Sequence, residues 1–192
     1  MFLRVPGLGR ALRRFGRARR GAAAVEFALV IVPFFLLVTG LAEISMIGFA
    51  QSSLDFAVYE TARRIRTGED QLANRSYSDI QTDLCNQVNN FLVLSCNGNL
   101  YLDVQRFASF VDAAAAQTNP VQNNQFQTGT FGYNPGQPSD IVVVRAYYRW
   151  QVMTPLFQPI FQNISGGQRV LVSTMMFRSE PYTGAPPPPA SP

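Results

Sequence analysis

The chain of 192 residues is 47% hydrophobic and 15% charged, carries a formal net charge of +4, and has no histidine, so that arginine supplies all 16 basic side chains. Without histidine or lysine, Ser-His-Asp and Cys-His nucleophile pairs, His-ligated zinc, the P-loop lysine and Schiff-base chemistry are excluded, and two cysteines are too few for a four-thiolate metal site. The length accommodates one modest core and one membrane segment, and no catalytic, cofactor-binding or metal site is expected.

Seven arginines, Arg4, Arg10, Arg13, Arg14, Arg17, Arg19 and Arg20, precede Gly21 and make a basic arm. From Ala22 onward 9 arginines face 12 acids, a net of −3. The folded part is therefore mildly acidic and no nucleic acid is expected as a partner. The arm suits anionic lipid headgroups, where each arginine contributes about 1 kcal/mol.

Residues 27–42 (FALVIVPFFLLVTGLA) carry no charge, and the 24 residues from 27 to 50 contain Glu43 as the lone ionised group. About 20 helical residues cross a hydrocarbon core of roughly 30 Å, so a transmembrane helix over 22–50 is expected, with Pro33 removing one backbone hydrogen bond and kinking it. Arginines on one flank alone place the N-terminus in the cytoplasm and everything past residue 50 on the far side. Three arrangements compete. A secretory signal would have a shorter apolar region and a small-residue cleavage site after it. A plain signal anchor would make Glu26 an interfacial acid that favours the helix start. The third takes the order of the parts as a signal: basic arm, Gly21, small residues, Glu26 at the fifth position after the glycine, then the apolar helix.

Beyond the membrane, Ile47, Leu54, Val58, Ala62 and Ile65 recur near 3.6 residues, which extends the helix to residue 67, where Gly68 ends it. A bent helix over 22–67 would be about 69 Å long at about 1.5 Å per residue. Arg63, Arg64 and Arg66 read as a solvated helix end favoured by the dipole, with docking of a partner as the other reading. A second amphipathic helix is expected over 78–94, with Ile80, Leu84, Val88, Phe91 and Leu92 on one face. Cys85 lies in it and Cys96 beyond its end. An oxidising compartment favours a disulfide between them, worth about 3 kcal/mol, against a pair of free thiols.

Three strands follow, NLYLDVQRF, IVVVRAYYRWQV and RVLVSTMMF. The second collects Val142, Val144, Ala146, Tyr148, Trp150 and Val152 on one face and turns polar at Arg145, Arg149 and Gln151 on the other. This predicts an antiparallel sheet with one side covered by the helices, an α+β head over 51–184. Between the first two strands, residues 108–140 begin with a short helix (ASFVDAAAAQ). They continue as a polar Gln/Asn/Gly/Pro segment that reads as a mobile loop or a partner contact. TPLFQPIFQNISGG is apolar enough to pack, or else forms an exposed docking patch. APPPPASP, within 185–192, is expected to be disordered or polyproline II.

The order around Gly21 resembles the class III signal of type IV pilins. The RGAAAVEFALVIVPFFLL run, YETARRIRTGE, the two central cysteines, YLDVQRF and the FRSEPY ending together resemble the TadE-like minor pilins, or pseudopilins, of the Tad (Flp-type) pilus. The resemblance implies a pilin-like fold and a leader, residues 1–21, cut by a prepilin peptidase between Gly21 and Ala22. It implies that Glu26 pairs with the new α-amino group of Ala22 on a neighbouring subunit and sets the register of assembly. It further implies other pilin and minor pilin subunits, an inner-membrane assembly platform and the lipid bilayer as partners, and pilus assembly for adhesion and surface colonisation as the function. Major Flp pilins are short and carry Glu-Tyr, whereas Glu26-Phe27 and about 171 remaining residues point to a minor subunit. The alternative is an unprocessed single-pass periplasmic accessory or adhesion protein, closer to a TadG-like role.

Overall fold

The computed structural model describes residues 19–89, 95–116 and 119–183; the basic arm up to residue 18, the expected end of the second helix at 90–94 and the proline-rich tail lie outside the described residues. The chain forms two compact units, Met1–Ala42 and Glu43–Pro192. Helix α1, Arg19–Thr67, belongs to both and passes through Pro33 without interruption of its helical assignment.

In the first unit, α1 exposes Phe27, Leu29, Val32, Phe35 and Leu37 around its circumference. Its most apolar 18-residue window has a mean hydropathy of 2.4 with none of it buried. A helix that is apolar all round and covered by nothing has no stable place in water; this one fits a single-pass membrane anchor.

The second unit is the α+β head. After α1, Gly68 takes φ +80° and its N–H donates to the Ile65 carbonyl, which ends the helix where the sequence indicated. Helix α2 (Glu69–Leu72) and helix α3 (Tyr77–Asn89) follow. The remaining elements are strand β1 (Leu100–Phe107), helix α4 (Phe110–Ala115), the hairpin β2 (Val121–Gln122) and β3 (Gln125–Phe126), strand β4 (Ile141–Gln151), a 3-10 turn (Pro155–Phe157), helix α5 (Gln158–Phe161) and strand β5 (Gln168–Arg178).

The sheet is antiparallel in the order β1-β4-β5, with Leu102 opposite Ala146 and Val144 opposite Met175. Period-two alternation sends Val142, Val144, Ala146, Tyr148 and Trp150 to one face. There they pack with Leu54, Val58 and Ile65 of α1 and Ile80, Leu84 and Val88 of α3. Val88 is the last expected contact of α3 within the described residues; Phe91 and Leu92 fall outside them. Cys85 and Cys96 form a disulfide that joins α3 to the turn before β1.

The opposite face of the sheet differs from the expectation of a single covered side. Tyr147 is buried there with Ile164 and Val170, under Phe126 and Phe131, and the Phe131 ring stacks on Tyr147 at 4.7 Å and 1°. Residues 119–140 are thus anchored rather than a loose loop. Tyr133 forms a parallel bridge to Val104, and the Asn134 N–H donates to the Val104 carbonyl at 2.7 Å. Polar composition dominates this segment, but three aromatic side chains supply enough apolar area to hold it down. Arg145, expected on a polar face, is buried beneath it. Its Nη1 lies 3.3 Å from Asp103 Oδ2, and its Nη2 donates to the Ala116 carbonyl.

Candidate functional site

Gly21, Ala22 and Glu26, the expected processing and assembly residues, all lie within the described span of α1, Arg19–Thr67. A peptide bond held helical is a poor fit to a protease cleft. Gly21 weakens this one locally, since glycine costs a helix about 1 kcal/mol relative to alanine. Ala22 and Glu26 are four residues apart and share one side of the helix, and both are exposed. No ion pair joins Glu26 to another described residue.

The second acid of the apolar run behaves in the opposite way. Glu43, the first residue of the head, is only 3% exposed. Its Oε1 accepts the Met153 N–H at 3.1 Å, while Oε2 accepts the Thr154 N–H at 3.1 Å and the Thr154 hydroxyl at 3.0 Å. The carboxylate thereby closes the exit of β4 onto α1. Sequence reasoning treated Glu43 only as the lone charge in a 24-residue apolar stretch. The signal was there, because an acid amid such a run persists only where donors compensate it.

The far end of α1 is held by charge. Arg64 reaches Asp83 at 2.9 Å and Asp70 at 3.8 Å, and Arg75 reaches Asp83 at 2.6 Å and Asp70 at 3.4 Å. Arg64 is therefore a partly buried link between α1, α2 and α3, not the solvated residue expected. Arg63 does remain at the surface, paired with Glu60 and Glu69. The two aspartates share the same arginines but differ in environment. Burial pushes the Asp70 carboxyl above its ordinary range, with Arg64 and Arg75 opposing that rise. Asp83 also loses some solvation, but hydrogen bonds from Arg64 and Arg75 outweigh it and hold its carboxyl below the ordinary range. The chain returns to this corner after β5: the Glu180 N–H donates to the Arg66 carbonyl at 2.8 Å, and the Tyr182 ring lies against Gly68. This fastening accounts for YETARRIRTGE and FRSEPY physically, since the two stretches meet.

Among the described residues no group of three metal-binding side chains converges. A recess beside the disulfide, lined by Gln81, Asn86, Asn97 and Gly98, contains no ionisable group. The described surface thus offers interaction features: an exposed apolar helix bearing Glu26, and a head fastened to its continuation at both ends.

Residues 21–63 match the family model described as TadE-like protein. The match starts at the glycine of the expected processing site, spans the apolar helix and runs to Arg63, consistent with a TadE-like, pilin-related protein and with involvement in the Tad pilus. No curated protein and no solved structure matches the chain.

Proposed function

We propose that this protein is a minor pilin, or pseudopilin, of the Tad (Flp-type) pilus and works as a structural subunit rather than as an enzyme. In this reading a prepilin peptidase removes residues 1–21, and the mature chain stays in the bacterial inner membrane by its apolar helix, with the head in the periplasm. On the assembly platform it joins other pilin subunits in a pilus used for adhesion and surface colonisation. The observation that carries the reading is the match over 21–63, which begins at Gly21 and contains Glu26 at the fifth position after it.

The physical case rests on Glu26. A carboxylate within the hydrocarbon region costs up to about 2.5–3.5 kcal/mol on insertion scales, so it calls for a compensating charge. Cutting after Gly21 would create an α-amino group on Ala22 with an ordinary pKa of about 7.7–8.0, cationic in much of the population near neutrality. Pairing with Glu26 of an adjoining subunit would offset the insertion cost and fix axial register. Exposed apolar surface on α1 supports the idea: Ile44, Phe49 and Tyr59 are exposed, so apolar side chains continue on its surface beyond the uncharged run.

Glu26→Ala tests the role. The variant should insert and be cut normally yet fail to co-purify or cross-link with other pilus subunits, whereas Glu26→Asp should retain part of the association. Unaltered incorporation of Glu26→Ala would remove the function assigned to this carboxylate.

A further inference from the structure

The connection between β4 and β5 is divided by side. Phe157 and Phe161 turn inward onto the main core. Met153, Leu156 and Ile160 turn outward, 50%, 60% and 69% exposed. Leu156 and Ile160, four residues apart across the 3-10 turn and α5, project away from the inward pair, and Met153 is exposed just before the turn begins. No charged residue occurs from 153 to 161. Three large apolar side chains held outward on an uncharged turn are unusual for a surface facing water.

The place of this turn in the chain identifies what covers it. Glu43 binds its first two N–H groups, at Met153 and Thr154. Glu43 directly follows the uncharged run 27–42. The turn is therefore tied to the residue at which the chain leaves the apolar anchor, so covalent continuity alone brings it to the membrane boundary. We infer that residues 153–161 form a second, peripheral membrane contact, in which Met153, Leu156 and Ile160 enter the interfacial layer of the bilayer crossed by the anchor. This rests on the anchor reading of the apolar helix and goes beyond the assembly role. Uncharged apolar side chains on a short helical turn suit that layer, where polar backbone ends stay hydrated and the side chains meet acyl chains.

The test uses the full chain in vesicles of phosphatidylcholine brominated on the acyl chains, read by tryptophan quenching against the background of Trp150. Leu156→Trp reports on the turn and Phe35→Trp on the anchor. Val111→Trp reports on α4, which packs at the Ile141 end of β4, roughly 30 Å along the strand from its exit. Val111 and Leu156 are 77% and 60% exposed, so neither replacement disturbs the core. The proposal expects strong quenching at Phe35→Trp and, at Leu156→Trp, quenching about three-fold or more above that at Val111→Trp. Quenching at Phe35→Trp with equal values at the other two positions overturns the second contact while leaving the anchor intact. Loss at all three overturns the anchor reading itself. A blue-shifted Leu156→Trp emission that depends on protein-to-lipid ratio and not on bromination identifies a second protein copy as the occupant, and also overturns the proposal.

Discussion

Replacing Glu43 by alanine removes one buried carboxylate and leaves two backbone N–H groups and one hydroxyl without their acceptor. Thr154 Oγ1 can rotate toward another partner, but the Met153 and Thr154 N–H groups are fixed by the chain leaving β4. A donor left unsatisfied in a buried site costs about 1–3 kcal/mol, more when its partner was charged. Relief of the carboxylate's own desolvation offsets part of this, because no cation among the described residues pairs with it. The net loss expected for Glu43→Ala is about 3 kcal/mol. At roughly 2–4 °C per kcal/mol for a unit of this size, the melting temperature of the head should fall by about 6–12 °C. Glu43→Gln keeps one acceptor oxygen and should lose about half as much. The assay is thermal unfolding of the detergent-solubilised chain followed by near-UV circular dichroism, with amide exchange at Met153 and Thr154 as a local readout. An unchanged melting temperature in Glu43→Ala, with both amides still protected, would refute the reasoning.

Gly68→Ala places a methyl group 2.6 Å from the Tyr182 ring at a backbone with φ +80°, and should cost at least about 2 kcal/mol by denaturant titration. Gly68→Ala with Tyr182→Ala should recover the steric share and not the backbone share. Cys85→Ser, or reduction of the wild type, should lower stability by about 3 kcal/mol for the 11-residue separation, and reductant should have no further effect on the variant. Asp70 and Asp83 should act oppositely with pH. The raised Asp70 carboxyl contributes stability that is full below its unfolded value of 3.8 and is lost as pH rises through the folded value. The lowered Asp83 carboxyl contributes stability above 3.8 that is lost as pH falls through its folded value. Asp70→Asn should therefore compare more favourably with wild type at pH 7 than at pH 3 in chemical denaturation; the reverse order would contradict the assignment of burial as the stronger influence.

Periodicity made the backbone plan legible. The spacing of Leu54, Val58 and Ile65, and that of Ile80, Leu84 and Val88, marked the helix faces that meet the sheet, and alternation through Val142 to Trp150 marked the face that receives them. Gly68 marked the end of α1 because a left-handed residue suits that position. The second face of the sheet was hidden, since what covers it comes from a segment whose polar composition masks Phe126, Phe131 and Tyr133. Arg145 fell on the face expected to be polar, because a buried ion pair such as the one it makes with Asp103 and a surface pair leave the same letters in a strand. At the candidate site, the order around Gly21 and Glu26 could be read directly. The bonds of Glu43 could not, because they join residues more than 100 positions apart. Hydropathy carried the expected membrane helix to residue 50, whereas Ala50 is buried in the head core with Met46 and Ile47 packed against it.

The central claim is that Glu26 is matched by a charge that proteolysis creates, and the mass of the N-terminal peptide tests it most directly. Protein recovered from membranes or sheared pili should yield a mature chain beginning at Ala22. A chain that still carries the arginine leader through Gly21 would contradict the account.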